Sequence, residues 1–191
     1  VEFLMDEQDR FYFTEIKPRI QIEHPATEMV AMIDLVREQI RLAAGEPLSL
    51  SQDEVLLRGW AIHCRIKAEN PQYRFLPNPG RISRVRLPGG PYVRVDTHID
   101  ANAEVSGRYD PILAKITVWG EDRSECLRRM RRALAETVIT GVQTTLRVQQ
   151  QIFDDPTFLH GDYTTEFFDS RLLEVFASEL VERDLAAAAA I

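Results

Sequence analysis

Residues 15–28 read Glu15-Ile-Lys-Pro-Arg-Ile-Gln-Ile-Glu-His-Pro-Ala-Thr-Glu28, and the fold prediction starts from this stretch. From residue 15 to residue 23 the odd positions are polar or charged, and isoleucine occupies three of the four even ones. Because alternate side chains of an extended chain point to opposite faces, one face of this segment is entirely polar. Pro18 cannot donate a ladder hydrogen bond, which predicts an edge strand or extended segment whose polar face is open to a ligand.

The residues before this stretch predict a β-hairpin. Two strand-like runs, 1–6 and 11–17, flank the polar sequence Glu7-Gln8-Asp9-Arg10, which is typical of a short hairpin loop. The simplest register pairs Asp6 with Phe11, Leu4 with Phe13, and Glu2 with Glu15. Like charges directly opposite each other destabilise a sheet. The two carboxylates are therefore either splayed into water or bridged by a hard cation such as Mg²⁺.

Arg19 and Glu23 on the polar face suit the chemistry of a small oxyanion. An arginine fork binds a planar oxyanion through two parallel hydrogen bonds, and a nearby glutamate could take a proton from that anion. The alternative is a solvated face on which the arginine and the glutamate pair with each other. Spacing alone leaves both interpretations open.

The rest of the chain predicts a helix followed by a small β-rich domain. Residues 27–44 carry apolar residues at helical spacing and stop before Gly45, which predicts one amphipathic helix. Beyond a boundary near Leu48, we expect strands at about 60–68, 82–86, 92–98 and 112–119, a helix that begins after Asp122, and a short helix at 146–153. We expect Trp60 and the hairpin aromatics to be core, and 173–191 to be a terminal helix and linker.

Composition narrows the class of protein. The chain has 23 basic and 30 acidic residues and a net charge of −7, which argues against nucleic-acid or anionic-membrane binding. The two cysteines, Cys64 and Cys126, have no metal-type spacing, so a reducing, cytoplasmic compartment is expected. The chain begins without methionine in a strand-like run, so we expect it to be a piece of a longer protein.

Residues 15–28 resemble the signature of biotin carboxylases, the ATP-grasp component of biotin-dependent carboxylases such as acetyl-CoA, propionyl-CoA and pyruvate carboxylase. The resemblance continues, in order and without large gaps, to about Leu172. It is carried by the following motifs: Glu38-Gln-Ile-Arg-Leu-Ala-Ala-Gly-Glu-Pro-Leu48, Cys64-Arg-Ile, Phe75-Leu-Pro-Asn-Pro-Gly80, Pro88-Gly-Gly-Pro-Tyr-Val-Arg-Val-Asp96, Tyr109-Asp110 and Gly161-Asp-Tyr-Thr-Thr165.

The resemblance implies an α+β chain. Residues 1–47 would be the C-terminal edge of an ATP-grasp domain, a hairpin plus a helix. Residues 48–172 would be the biotin carboxylase C-terminal domain. The implied enzyme is an ATP-dependent carbon-nitrogen ligase that uses ATP, Mg²⁺ (or Mn²⁺) and bicarbonate to carboxylate protein-linked biotin through carboxyphosphate. Implied partners are a biotin carboxyl carrier domain, a carboxyltransferase and a second copy of the chain. Most of the ATP site would precede residue 1, so the isolated chain is expected to be inactive.

The resemblance also implies a role for individual residues. The expected sites are metal binding by Glu2 and Glu15, nucleotide binding by Leu4 and Lys17, bicarbonate binding by Arg19 with Gln21 and Ile22, proton abstraction from bicarbonate by Glu23, and stabilisation of the biotin enolate by Arg65. Arg65 would also contact biotin as a substrate.

Lys17 is the main departure from the family pattern, because the family usually has asparagine there. An ammonium only donates hydrogen bonds and repels Mg²⁺, although it could contact a phosphate. His63 and Lys67 also depart from the usual glutamate and asparagine around Arg65. Two alternatives follow: a degenerate carboxylase-like domain that serves assembly, and another ATP-grasp ligase. The match through the C-terminal domain argues against the second.

Overall fold

The computed structural model describes residues 1–171, and the terminal helix and linker expected at 173–191 lie outside them. The chain divides into two compact units, Val1–Arg58 and a second that begins at Gly59. The sequence-based domain boundary at 47/48 stays a prediction. Helices, strands and small sheets are mixed along the chain, which confirms the α+β class. Within residues 1–171, no helix combines the length and the apolar character that a bilayer span requires.

The first unit opens with the hairpin, formed by β1 (Glu2–Met5) and β2 (Phe11–Glu15). Glu2 faces Glu15 as expected, but the pairs closer to the turn were wrong by one residue. The observed pairs are Phe3 with Phe13, Leu4 with Tyr12 and Met5 with Phe11. The pairing shifts by one residue between Phe3 and Glu2, which leaves Thr14 as a bulge.

The loop of the hairpin explains the register. The Asp6 backbone N–H donates to the Arg10 carbonyl at 3.1 Å, so Asp6 pairs with Arg10 rather than with Phe11. The Asp6 carboxylate accepts from the backbone N–H groups of Gln8 and Arg10, both at 3.0 Å. Asp9 has a φ of 57°, the left-handed conformation that closes a three-residue hairpin loop.

The aromatic side chains of the hairpin are exposed, so their assignment to the core was wrong. Phe3, Phe11 and Phe13 are 53%, 67% and 60% exposed. They contact one another edge to face, with centroids 6.3 Å apart for Phe3 and Phe11 and 6.0 Å apart for Phe3 and Phe13. A two-stranded ribbon alone buries little of either face. Trp60, which opens the second unit, is also exposed, at 53%.

The single helix expected at 27–44 is two helices, α1 (His24–Ala31) and α2 (Leu35–Ala43). Met32 ends α1 in the left-handed conformation, with φ 56°. Asp34 then starts α2 by accepting the Arg37 backbone N–H at 2.9 Å. The buried Glu28 carboxylate accepts the Leu35 N–H at 2.8 Å and joins the two helices.

The second unit contains the remaining elements. They are β3 (Trp60–Lys67), β4 (Glu69–Asn70), β5 (Leu76–Pro77), β6 (Gly80–Arg81), β7 (Arg84–Arg86), β8 (Val93–Thr97), β9 (Glu104–Val105), β10 (Ile112–Gly120), α3 (Arg123–Glu136), β11 (Val138–Thr140), α4 (Leu146–Asp154), α5 (Pro156–His160) and α6 (Phe167–Arg171). The central antiparallel sheet has the order β3-β10-β8. Val138 follows α3 closely and begins β11, which pairs with β7.

The core of the second unit lies between the central sheet and α3. Alternate residues at the end of β3 and just beyond it point inward, and Cys64, Ile66 and Ala68 are buried. Met130 and Leu134 of α3 are fully buried and belong to the same cluster. Both cysteines are free thiols in this core, and burial raises the pKa of Cys64 to about 12 and that of Cys126 to about 11.

Candidate functional site

Glu2, Glu15 and Lys17 form a compact charged cluster in the first unit. The bulge at Thr14 sets the two glutamates opposite each other, and the Thr14 hydroxyl donates to the Glu2 carbonyl at 2.9 Å. The Lys17 ammonium donates to the Glu2 carboxylate and lies 3.2 Å from a carboxylate oxygen of Glu15. The cation that relieves the repulsion between the two carboxylates is therefore a side chain of the same chain.

The ion pairs of this cluster shift the pKa values of Glu2 and Lys17 in the direction that keeps both groups charged. The hydrogen bond from Lys17 lowers the pKa of Glu2, although desolvation opposes it. The hydrogen bonds to Glu2 and then to Glu15 raise the pKa of Lys17. Two glutamates and one lysine give the cluster a formal net charge of −1.

The donor chemistry of the cluster matches a hard divalent cation only in part. Two carboxylates are the ligands that Mg²⁺ shares with phosphate oxygens, so Glu2 and Glu15 fit that ion. Lys17 does not fit a bound Mg²⁺. Its ammonium contacts both carboxylates, and an ammonium and a metal ion compete for the same oxygens. In the part of the chain that the structure describes, no group of three or more His, Cys, Asp or Glu side chains could hold a metal ion by itself.

A cavity of about 420 Å³ lies beside this cluster, within the first unit. Its wall includes four of the residues that the sequence singled out: Lys17, Arg19, Gln21 and Glu23. The expected edge strand or extended segment was wrong for this stretch, because the chain bends at Arg19 and turns at Ile22 and Glu23. The structure therefore brings together the groups that the sequence proposed for anion binding and proton abstraction.

Local backbone contacts position these side chains. The Arg19 N–H donates to the Lys17 carbonyl at 2.8 Å, which forms a tight turn across Pro18. One Nη of Arg19 donates to the Ile20 carbonyl at 3.2 Å. The Gln21 carbonyl accepts both the backbone N–H and the ring Nδ1–H of His24, at 3.2 and 2.8 Å. Glu23 is the residue that precedes the first turn of α1.

Part of the cavity wall comes from α2, which sequence reasoning missed. Leu35, Glu38, Gln39 and Leu42 line it. Their spacing of i, i+3, i+4 and i+7 marks one helix face, and this spacing was the signal available in the sequence. Val36 and Ile40, two of the apolar residues at helical spacing in 27–44, are instead 40% and 65% exposed. Hydrogen bonding from Ser49 lowers the pKa of Glu38, so the cavity wall carries a carboxylate besides Glu23.

Leu4 and Ile22, the two apolar site candidates, lie apart from this wall. Leu4 is 66% exposed on β1, opposite Tyr12. Ile22 is partly buried between Gln21 and Glu23. Nucleotide contact by Leu4 and bicarbonate contact at Ile22 stay predictions.

Arg65 belongs to the second unit, on the exposed face of the central sheet. It stands opposite Lys115 on β10, and Lys115 in turn stands opposite Asp96 on β8. Asp96 bridges Arg94 at 2.9 Å and Lys115 at 3.3 Å. Burial by itself would raise the pKa of Asp96, but the hydrogen bonds and charges of Arg94 and Lys115 outweigh it, and the pKa is lowered. Arg65 therefore stands beside a second cation, Lys115, at the end of this row, and its role with biotin stays a prediction.

The two departures that flank Arg65 have partners on the same face. His63 Nδ1 is 2.9 Å from the Thr117 hydroxyl. The Lys67 ammonium donates to Glu69 at 2.9 Å. These contacts explain how the strand accommodates a histidine and a lysine at positions 63 and 67.

Two family models match this chain, one over most of the first unit and one within the second unit. Residues 63–170 match the family described as "Biotin carboxylase C-terminal domain", and residues 1–51 match "Carbamoyl-phosphate synthase L chain, ATP binding domain". The chain is 51% identical over 167 residues to a biotin carboxylase of Nostoc sp., covering 87% of this chain and 37% of that protein. It is 44% identical over 171 residues to biotin carboxylase 1 of Bacillus subtilis, covering 89% and 38%.

Solved structures agree with these relatives. The biotin carboxylase subunit of pyruvate carboxylase superimposes with a TM-score of 0.87 at 41% identity, over 91% of this chain and 38% of that one. The biotin carboxylase domain dimer of Hydrogenobacter thermophilus 2-oxoglutarate carboxylase, in complex with MgADP, ADP and bicarbonate, gives 0.85 at 40% identity, over 88% and 37%. The chain thus spans under two fifths of the length of these proteins. The sequence, the arrangement of elements and the matched domains agree, and the chain belongs to the biotin carboxylase family.

Proposed function

We propose that this chain is part of an ATP-dependent biotin carboxylase that carboxylates protein-linked biotin. In this reaction the terminal phosphoryl group of ATP passes to bicarbonate, forming carboxyphosphate and ADP. The carboxyl group then passes to the ureido nitrogen of biotin, and phosphate leaves. The observation that best supports the proposal is that Arg19, Gln21 and Glu23 line one cavity next to the Glu2–Glu15 pair.

Within this cavity, the chemistry divides between a cation and a base. The guanidinium of Arg19 is planar and permanently charged, and it would bind bicarbonate, with help from Gln21 and Ile22. The carboxylate of Glu23 would take the bicarbonate proton, so that the anion becomes a better nucleophile toward the terminal phosphorus of ATP.

Arg65, in the second unit, would stabilise the enolate that forms on biotin when its ureido nitrogen loses a proton.

Mg²⁺ enters this reaction as part of the nucleotide substrate. The H. thermophilus domain was solved with MgADP and bicarbonate. In the present chain, Glu2 and Glu15 would bind a metal on the phosphates, Lys17 would contact a phosphate, and Leu4 would contact the adenine. The facing of the two carboxylates across the hairpin supports the metal assignment.

Assembly is proposed on the same basis. The H. thermophilus relative is described as a biotin carboxylase domain dimer, and we propose that the present protein also forms a homodimer. A biotin carboxyl carrier domain and a carboxyltransferase would be its partners, in the cytoplasm. Sedimentation of the 191-residue chain tests dimerisation, and a monomer at high concentration would contradict it.

The deciding experiment is bicarbonate-dependent ATP hydrolysis by the full-length protein with free biotin. Glu23→Gln keeps the size of the side chain but removes the base, and we expect a loss of about 10²- to 10⁴-fold. Glu7→Gln, in the exposed hairpin loop, is the matched control and should keep the wild-type rate. Equal rates for Glu23→Gln and wild type would contradict the role of Glu23.

A second candidate function, a degenerate domain that serves only assembly, is favoured by the contact of Lys17 with both glutamates. If that candidate is correct, the wild-type protein binds ATP but shows no bicarbonate-dependent hydrolysis, and Lys17→Asn restores it. Activity in the wild type with little change in Lys17→Asn would exclude it.

A further inference from the structure

We propose that Lys17 is a tethered cation that closes the Glu2–Glu15 pair to free divalent ions, so that a metal reaches the pair only together with nucleotide phosphates. This inference deepens the proposed function and rests on it for the identity of the phosphates. It assigns a selective role to a residue at which the chain departs from the pattern of its family.

The geometry of the hairpin end supports this role. The bulge at Thr14 brings the carboxylates of Glu2 and Glu15 face to face, which without a cation would place two negative charges side by side. The Lys17 ammonium contacts both carboxylates. Lys17 lies two residues beyond Glu15, the last residue of β2, so its side chain starts close to the pair.

The Lys17 backbone is also held in place. Its carbonyl accepts the Arg19 N–H at 2.8 Å, and the intervening Pro18 restricts the turn. The ammonium is thus anchored by a short segment and is present at the pair at a high local concentration. A free divalent ion must displace it, whereas an asparagine at this position would offer no competing charge.

Nucleotide phosphates would change this balance in two ways. They supply further oxygen ligands and negative charge, and Mg²⁺ binds carboxylates together with phosphate oxygens better than carboxylates alone. They also offer the ammonium a new acceptor, because lysine has three donors on a flexible four-carbon stem. Lys17 also lines the cavity that contains Arg19 and Glu23, so it could turn from the carboxylates toward an anion there. The residue would therefore couple metal entry to nucleotide entry.

The test measures Mn²⁺ binding to the 191-residue chain without nucleotide, from the loss of the electron paramagnetic resonance signal of free Mn²⁺. We expect weak binding by the wild type and binding tighter by about tenfold or more in Lys17→Asn, because a neighbouring positive charge is removed. Lys17→Gln, which keeps an unbranched stem, should behave like Lys17→Asn. Lys17→Arg keeps the charge and should bind as weakly as the wild type. Adding Glu2→Gln to Lys17→Asn should abolish the gain.

Equal Mn²⁺ affinity in the wild type, Lys17→Asn and Lys17→Gln, with all three folded by circular dichroism, would overturn the inference. A gain that survives Glu2→Gln would also overturn it, because the metal would then bind elsewhere. The titration involves neither nucleotide nor turnover. It can therefore fail while the bicarbonate-dependent ATPase assay succeeds, and the two proposals are tested separately.

Discussion

Replacing Gly141 by alanine should destabilise the second unit more than an ordinary glycine substitution does. Gly141 follows β11 and has a φ of +103°, and a Cβ at this position would lie 2.2 Å from the Arg81 carbonyl oxygen and 2.7 Å from the Ser83 backbone nitrogen. Gly161, which ends α5, provides the matched control. It has a φ of +90°, and nothing would lie within 4 Å of its Cβ.

The two substitutions share one cost and differ in another. An L-residue in the left-handed region costs about 1–2 kcal/mol, which applies to both positions. Gly141→Ala must in addition separate two backbone segments, and overpacking of this kind costs about 1–3 kcal/mol. We therefore expect Gly161→Ala to lower the free energy of unfolding by about 1–2 kcal/mol, and Gly141→Ala by about 2–5 kcal/mol.

Guanidinium unfolding followed by tryptophan fluorescence measures this difference, because the two tryptophans of the chain, Trp60 and Trp119, both lie in the second unit. The midpoint should fall further for Gly141→Ala than for Gly161→Ala, with similar slopes. If the two variants lose the same free energy, the close approach of Gly141 to the Arg81 backbone does not determine the packing of this loop, and the reasoning is refuted.

Three further substitutions test the core, the charge row and a helix cap of the second unit. Leu134→Ala, at a fully buried position, should lower the free energy of unfolding by about 2–5 kcal/mol. Leu76→Ala, at a position 62% exposed, should lower it far less, and similar losses in the two variants would contradict the core assignment. The lowered pKa of Asp96 means that its ion pairs stabilise the fold above about pH 4 and are lost as the pH falls through the folded-state pKa. In urea unfolding at about pH 7, Asp96→Asn should therefore have a lower free energy of unfolding than the wild type, and the difference should shrink toward about pH 3. A difference that does not change with pH would argue against stabilisation by these ion pairs. Asp122→Ala removes the side chain that accepts the Glu125 N–H at 2.7 Å and should cost about 0.5–2 kcal/mol in thermal unfolding, while an unchanged melting temperature would show that the cap is dispensable.

Sequence periodicity predicted the second unit well because burial there follows the regular period of its elements. The strand expected at 60–68 is present as β3, and its buried residues Cys64, Ile66 and Ala68 occupy alternate positions, although Trp60 at its start is exposed. The cap at Asp122 located the start of α3 for the same reason, since a local hydrogen bond sets it. Where a single local interaction or a regular period determines the structure, the sequence is sufficient.

The first unit was predicted less well because backbone conformations at single residues determine it. The left-handed Met32 divides one expected helix into two, and methionine carries no signal for that conformation. The left-handed Asp9 shortens the hairpin loop, and the bulge at Thr14 then restores the expected Glu2–Glu15 pair. The facing carboxylates were therefore predicted correctly from a register that was wrong at every other pair.

The candidate site, too, was predicted from the sequence only in part. The polar pattern from Lys17 to Glu23 predicted four residues of the cavity wall. It did not predict the turns of this segment, which bring Ile20 of the other expected face to the same cavity. It could not predict the contact of Lys17 with both carboxylates, because that contact requires the bulge as well as the choice of a side-chain rotamer. It also missed the wall contributed by α2, whose orientation depends on the break at Met32.

The burial of both native thiols has a practical consequence for labelling. Cys64 and Cys126 lie in the core with pKa values of about 12 and 11, so at neutral pH they are protonated and shielded from maleimide reagents. A single cysteine introduced at an exposed position, such as Glu7 in the hairpin loop, would then react selectively without removal of the native ones. A fluorophore or spin label placed there would report on the hairpin alone when nucleotide or metal is added.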